Sequence, residues 1–243
     1  MRHSVVLYEP MKAGIPLILV FLIASCVGTP SVTPVKEPRN SSASGSAVSD
    51  VSEIQVRIVQ AAQSLLGKKK LVFSQVSFSS DCSGFILAAY YAGGIDLRKE
   101  FAQEEGNGVR RLYRIAERYE VLSLQKTPTL GDVVFWDNTY DANSDGKIND
   151  ELTHAGIVTA IYQNGQVDYI HFHVRRGIVQ ESMNLRSPDA LSLNAPMRIA
   201  EPGKMRPERW LAAQLYRSSG HLWMIRDRVA AAFQETGNRL VQY

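Results

Sequence analysis

Cysteine is scarce in this chain of 243 residues, which contains only Cys26 and Cys82. Two thiols form at most one bridge, so a framework of several disulfides is excluded. A metal site built on several thiolates is excluded for the same reason.

An excess of charge of one sign is also lacking, because the formal net charge is only +3 and the most prominent basic run is Lys68-Lys69-Lys70. This balance gives no indication of nucleic-acid binding, and the short basic run is typical of a solvated loop.

Apolar runs long enough to cross a bilayer, which takes about 20 residues, are missing as well. The run Gly14–Ala24 follows the positive charge of Lys12, and its length and flanks are typical of the hydrophobic region of a signal peptide. It ends in Ile23-Ala24-Ser25-Cys26, which resembles a bacterial lipobox, where signal peptidase cuts before a lipid-modified cysteine. We therefore predict a lipoprotein signal peptide over residues 1–25 and lipidation at Cys26. The alternative is an ordinary cleaved signal followed by a chance cysteine.

Residues 26–49 are rich in Ser, Pro and Thr and show no hydrophobic period. Such a segment cannot bury enough apolar surface to offset the entropy lost on ordering. We predict a flexible tether between a lipid and a folded domain. The domain then covers residues 50–243, and a hydrophobic content of 45% is typical of a chain that buries a core.

Three stretches carry helical signals. Asp50 followed by Glu53 resembles an N-cap with its acidic partner, and the helix is predicted to stop at Gly67. Apolar residues recur at helical spacing between them, namely Ile54, Ile58, Ala61 and Leu65. A second helix is predicted over Cys82–Tyr91, and its apolar residues on nearly all sides predict that it is buried. A third helix is predicted over Val109–Tyr119.

After residue 130 the hydrophobic period changes to that of strands. We predict strands over Val133–Trp136, His154–Tyr162 and Val167–Val174, with Asn164-Gly165 as a hairpin signal between the last two. The tail from Pro207 to Tyr243 has helical spacing. Helices followed by an antiparallel sheet predict an α+β domain, with N-terminal helices packed on the sheet and a helical extension at the C-terminus.

Cys82 has the surroundings that a nucleophilic thiol requires. It begins a predicted helix, and both a helix N-terminus and a nearby imidazolium would stabilise the thiolate, which is the reactive form. The backbone N–H groups of such a helix end can also stabilise a tetrahedral oxyanion. Ser83 and Gly84 are small, so that a substrate chain could approach closely.

The general base is expected to be a histidine on a rigid element, and His154 begins a predicted strand. If the hairpin has a two-residue turn, Val158 lies opposite His171 and Gly156 lies opposite His173. Three imidazoles then share one face of the sheet, and one of them can orient the base. A small change of loop type alters which histidine is closer to His154, so strand counting leaves both open.

Four sequence blocks resemble the NlpC family of papain-like peptidoglycan endopeptidases. They are Asp81-Cys82-Ser83-Gly84-Phe85, Gly131-Asp132-Val133-Val134-Phe135-Trp136, His154-Ala155-Gly156-Ile157-Val158 and Tyr169-Ile170-His171, in the family's order. The resemblance implies a papain-like fold in which Cys82 is the nucleophile, His154 the base and His171 the orienting residue. Asp81 and Ser83, which flank the nucleophile, are the predicted substrate-binding residues. The implied reaction is hydrolysis of amide bonds in peptidoglycan stem peptides by a lipid-anchored protein on the periplasmic or extracellular side of a bacterial membrane.

The chain departs from the family's pattern at two places. Members usually carry Pro-Tyr-x-Trp-Gly-Gly, with a tyrosine that often lines the active site, where this chain has Lys68–Phe73. Leu130 stands where members have a proline before Gly-Asp. The alternative functions are a non-catalytic envelope lipoprotein that binds wall peptide or a partner enzyme, and a CHAP-type amidase or transacylase.

An acidic loop precedes His154. Asp141, Asn143 and Asp145 occupy the first, third and fifth positions of an EF-hand-like pattern, with Gly146 at the sixth and Lys147 at the seventh. These residues predict a structural Ca²⁺ site, and catalysis itself is expected to require no cofactor. The twelfth position lacks the usual glutamate, and the alternative is a solvated polar turn.

Overall fold

A computed structural model describes residues 46–73, 75–123, 127–198 and 207–226, with side chains from residue 53 onward. The predicted signal peptide, the lipidation site Cys26, most of the predicted tether and the end of the C-terminal tail lie outside the described residues. In the described part of the chain, no helix combines the length and the apolar character needed to span a membrane.

The described residues form five α-helices. Their bounds are α1 Ser46–Ser64, α2 Cys82–Gly93, α3 Arg98–Gln103, α4 Gly108–Arg118 and α5 Ala212–Leu215, followed at the end by a 3₁₀ turn over Leu222–Ile225. Residues of α1, α2 and α4 pack in one core cluster of the sheet, while α5 packs in a second. The predicted apolar faces are confirmed: α1 buries Ile54, Ile58 and Ala61, Leu65 is buried just after its end, and α4 buries Val109, Leu112, Ile115 and Ala116. Helix α2 is buried nearly all round, as its composition predicts.

The part of the chain that the structure describes also contains two β-sheets. A small hairpin pairs β1 Leu71–Phe73 with β2 Val76–Phe78. The main sheet contains β3 Val133–Trp136, β4 His154–Ile161, β5 Gln166–His173, β6 Gly177–Asn184 and β7 Tyr216–Gly220. The strands are all antiparallel in the order β6-β5-β4-β3-β7. The predicted α+β class is therefore confirmed.

Two local predictions are corrected, and one strand was missed. The predicted N-cap at Asp50 is wrong, because α1 begins at Ser46, and no proline or glycine stands between Gly45 and Asp50 to interrupt it. The tail is not helical throughout, since Tyr216–Gly220 is a strand that pairs with β3. The open edge of β3 offers backbone partners to this polar segment, and that tertiary effect overrides its helical spacing. Strand β6, which borders β5, was not predicted.

The β4–β5 hairpin also has a different register from the predicted one. Its loop contains three residues, Gln163 to Gly165, closed by the Gly165 N–H donating to the Tyr162 carbonyl at 3.0 Å. A bulge between Val158 and Ala160 shifts the pairing again. As a result Gly156 lies opposite His171, rather than opposite His173 as a two-residue turn would give. Three-residue hairpin loops with glycine in the left-handed region are a common alternative to two-residue turns, and Gly165 has φ +88°.

Asp132 anchors the C-terminal segment to the start of β3. Its carboxylate is fully buried and accepts hydrogen bonds from Thr129, from His221 Nδ1 at 2.8 Å and from Trp223 Nε1 at 2.8 Å. The hydrogen bond that His221 donates to Asp132 raises the pKa of His221. A buried carboxylate needs such partners. Asp132, from the Gly131-Asp132 pair found in the sequence, therefore fixes the segment that follows β7 to the start of β3.

Candidate active site

The N-terminus of α2 is built around the side chain of Asp81. Asp81 has extended backbone geometry and caps the helix, because its Oδ1 accepts from the Gly84 N–H at 2.8 Å and from the Ser83 hydroxyl at 2.7 Å. Burial opposes ionisation, but these hydrogen bonds prevail and lower the pKa of Asp81. Gly84 is required here, since a Cβ would lie 2.0 Å from the Ser79 carbonyl oxygen. The capped, tightly packed turn gives Cys82 a fixed position as the first residue of the helix.

Cys82 is a free thiol in a setting that disfavours its ionised form. Burial, with the nearby Asp81 carboxylate adding to it, raises the pKa of the thiol to about 11, although the backbone N–H groups of Ala155, Ser83 and Cys82 act in the opposite direction. The pKa of the thiol is therefore raised, in contrast to the lowered pKa expected from a helix N-terminus and a nearby imidazolium. The helix N-terminus does favour the thiolate, but desolvation and a neighbouring negative charge outweigh it.

His154 lies at the first position of β4 and is neutral. Its Nε2 is 2.7 Å from Nδ1 of His171, and its ring packs against Trp136 with centroids 5.9 Å apart. Burial, together with the neighbouring His171 and His173, lowers the pKa of His154 to about 3. With Nε2 occupied by His171, Nδ1 is the ring nitrogen that remains to exchange a proton with a reacting group.

His171 and His173 have different partners, although they lie two residues apart on β5. His171 is 2% exposed, contacts His154 on one side, and has its Nε2 3.0 Å from the Glu181 carboxylate on the other. Nδ1 of His173 instead accepts from the backbone N–H groups of Arg175 and Arg176 at 3.1 and 3.2 Å, in the turn towards β6. The structure thus brings His171, and not His173, into hydrogen-bonding contact with His154.

A cavity of about 520 Å³ opens over these groups. It is lined by Asp81, Cys82, His154, His171 and His173, with Ser80, Thr139, Tyr140, Thr153, Phe172, Val174, Pro196 and Met197 around them. Of the two predicted substrate-binding residues, Asp81 lines the cavity. Ser83 does not, because its hydroxyl is buried against Asp81 and Gly108.

The sequence predictions missed two residues of the site. Tyr140 lines the cavity, and burial together with the nearby Cys82 raises its pKa. It comes from the β3–β4 loop, whereas the tyrosine expected in such a site would precede the cysteine. Glu181 is the second residue, and it lies on β6, a strand that the sequence analysis did not predict. Recognising β6 by its buried Ile178 and Met183 would have brought Glu181 next to β5.

The acidic loop forms a closed network of its own. Asp141 accepts from the N–H groups of Asp145 and Gly146, and Asp145 accepts from the N–H of Lys147 and from the Asn143 side-chain amide. Leu152, at the twelfth position of the pattern, is 2% exposed and belongs to the core. Within the described ranges, no group of three or more His, Cys, Asp or Glu side chains could hold a metal ion. The Ca²⁺ site over Asp141, Asn143, Asp145 and Lys147 stays a prediction.

Comparison with models of known protein families finds none that matches this chain. Comparison with curated proteins finds no significant match either. The resemblance to NlpC peptidases therefore rests on the four sequence blocks, and function has to be inferred from the chemistry of the site.

The pKa of Cys82 predicts how the thiol reacts with iodoacetamide. In the full chain with Cys26→Ser, Cys82 is the only thiol. Since only the thiolate reacts and its pKa is about 11, the alkylation rate should rise about tenfold per pH unit from pH 7 to pH 10. In urea the thiol should titrate near its ordinary value of about 8.5. A rate in the folded protein that reaches a plateau below pH 8 would instead show a resting thiolate–imidazolium pair.

Proposed function

We propose that this protein is a cysteine peptidase that hydrolyses amide bonds in peptidoglycan stem peptides, with Cys82 as nucleophile, His154 as general base and His171 as the residue that orients the base. One observation carries the proposal. One open cavity is lined both by a thiol at a capped helix N-terminus and by an imidazole whose Nε2 lies 2.7 Å from Nδ1 of a second, buried imidazole. Nucleophile, base and orienting group are the three parts that covalent amide hydrolysis requires.

The neutral pair suggests how the first step proceeds. The Cys82 sulfur attacks the carbonyl carbon while its proton moves to Nδ1 of His154, so that the thiol is activated only as the bond forms. The carbonyl oxygen becomes an oxyanion. The backbone N–H groups of Cys82 and Ala155 lie near the thiol and are available to stabilise the oxyanion. Stabilisation of this charge is usually the largest electrostatic contribution to acyl transfer.

Collapse of the tetrahedral intermediate breaks the C–N bond. The imidazolium of His154 gives its proton to the departing amine, and a thioester with Cys82 remains. Water then attacks the thioester carbon and loses a proton to His154. The second tetrahedral intermediate expels the sulfur, which recovers the proton from His154, and the carboxylic acid leaves. No cofactor takes part in this sequence.

The substrate class and the finer fold type are supported by two kinds of observation. The first is the set of four sequence blocks that resemble NlpC endopeptidases, whose fold is papain-like. The second is the arrangement of a buried cysteine-bearing helix before the strands β4 and β5, which carry the histidines. A cavity of about 520 Å³ is within the usual range for sites that enclose a small peptide.

The lipobox-like sequence supports a position in the cell envelope. We propose that a diacylated or triacylated Cys26 holds the protein on a bacterial membrane and that the segment after it lets the domain reach the wall. Lipid chains of this kind supply membrane affinity without a membrane-spanning helix.

The nucleophile is tested by digesting purified wall fragments and identifying the products by mass. The Cys26→Ser protein should release cleaved stem peptides, and adding Cys82→Ala should abolish release while the melting temperature stays similar, because only one small side chain is lost. Turnover that survives in the Cys82→Ala protein would rule out the mechanism. Fragment binding without any product would favour the non-catalytic lipoprotein, and cleavage between sugar and peptide would favour the amidase.

The third residue is tested by a matched pair of substitutions on β5. His171→Ala should lower kcat by about 10² to 10⁴-fold because His154 loses the partner that fixes its orientation. His173→Ala should have an effect of less than about tenfold, since His173 bonds to the β5–β6 turn. The reverse order of effects would transfer the orienting role to His173.

The anchor is tested by fractionating cells that express the full chain. The unaltered protein should sediment with membranes and resist a salt wash, whereas Cys26→Ser should appear in the soluble fraction because it cannot be acylated. A Cys26→Ser protein that still sediments after the wash would show that another feature holds the protein to the membrane.

A further inference from the structure

A line of hydrogen bonds continues beyond the two histidines to a carboxylate on the neighbouring strand. Glu181 lies on β6 opposite Tyr169 of β5, and its Oε2 is 3.0 Å from Nε2 of His171. Its other oxygen is ion-paired with Arg176, whose side chain is half exposed. The line therefore runs from the cavity, through His154, His171 and Glu181, to an arginine at the surface.

Glu181 is ionised at neutral pH. Its side chain is only 11% exposed, and burial by itself would raise its pKa. Hydrogen bonds from His171 and Arg176 prevail and lower the pKa of Glu181 to about 2. An ionised carboxylate can only accept hydrogen bonds, so Nε2 of His171 must carry the hydrogen of the 3.0 Å contact. Glu181 contacts His171 and Arg176. Burial and the charge of Glu181 raise the pKa of the buried Tyr169, and that charge also acts on His154 and His173.

The position of that hydrogen determines the next contact along the line. A neutral His171 with its proton on Nε2 has a lone pair on Nδ1, and this lone pair accepts the Nε2–H of His154 across 2.7 Å. His154, also neutral, is then left with a lone pair on Nδ1. If the proton of His171 were on Nδ1 instead, it would donate to Nε2 of His154. The lone pair of His154 would then be used up, and its Nδ1 would carry a proton.

We propose that Glu181 is a positioning residue that sets the direction of the hydrogen bonds through His171 and keeps Nδ1 of His154 free to accept a proton. Only that direction lets His154 act as the base for Cys82. The role in turnover rests on the function proposed above, whereas the direction of the hydrogen bonds does not. Glu181 touches no reacting atom and acts only through His171.

The direction is read by NMR on the full chain with Cys26→Ser and ¹⁵N-labelled histidine, at pH 7. Ring nitrogens with and without a proton have well-separated ¹⁵N shifts, so the tautomers of His154 and His171 are seen directly. Both rings should be in the Nε2–H form. Glu181→Gln preserves the size of the side chain, but its amide can donate as well as accept. Both rings should then become mixtures of the two tautomers.

The matched control is Glu53→Gln, which removes a carboxylate from an exposed ion pair on α1 and should change neither tautomer.

On wall fragments, Glu181→Gln should lower kcat about 10- to 100-fold with KM within about twofold, as is common for residues that orient a reacting group through another side chain. Rings that keep the Nε2–H form in a folded Glu181→Gln protein would overturn the inference. A tautomer change in a protein that hydrolyses no wall fragment would leave Glu181's role in place and overturn the proposed function instead.

Discussion

The pairing of β4 with β5 is the constraint on which the site depends. Gly156 lies opposite His171, and this register brings Nε2 of His154 to 2.7 Å from Nδ1 of His171. Gly156 is needed for it, because a Cβ there would lie 2.9 Å from the Ile170 carbonyl oxygen and 3.2 Å from the His171 Cβ. A slip of one residue would turn every side chain of β5 to the other face. The bulge at Thr159 shifts the register so that Gly156 lies opposite His171, and it thereby determines which histidine reaches His154 at the start of β4.

A second rigid element holds the thiol against this sheet. Helix α2 is buried nearly all round, so it can neither rotate nor slide without opening the core, and the capping carboxylate of Asp81 fixes its first turn. The backbone N–H of Ala155, on β4, lies close enough to Cys82 to affect its ionisation. The chemistry is therefore shared between a helix end and a strand end that pack on each other, an arrangement that positions groups more accurately than loops do.

Local patterns predicted the elements that bear the site, but not the contacts between them. Helices α2 and α4 and strands β3 to β5 follow from hydrophobic period and turn residues, and the motifs single out Cys82, His154 and His171. The choice between His171 and His173 depended on a loop of three residues and a bulge, which no periodicity records. Strand β7 depended on the free edge of β3, and Glu181 was missed together with β6. Each failure concerns how neighbouring strands pair, which the local hydrophobic pattern does not determine.

The charges along the hydrogen-bonded line explain why a buried site can contain so many ionisable groups. At the cavity the thiol and imidazole are both neutral, since the pKa of Cys82 is raised to about 11 and that of His154 is lowered to about 3. Glu181 carries a negative charge farther along the line, where its side chain is only 11% exposed, and Arg176 compensates that charge at the surface. A buried charge is tolerated when it is paired and hydrogen-bonded. When His154 accepts a proton in the proposed reaction, a positive charge forms between the developing thiolate and this carboxylate. The reacting thiol and imidazole are therefore uncharged before substrate enters, and the negative charge of Glu181 lies where it stabilises the imidazolium that the reaction creates.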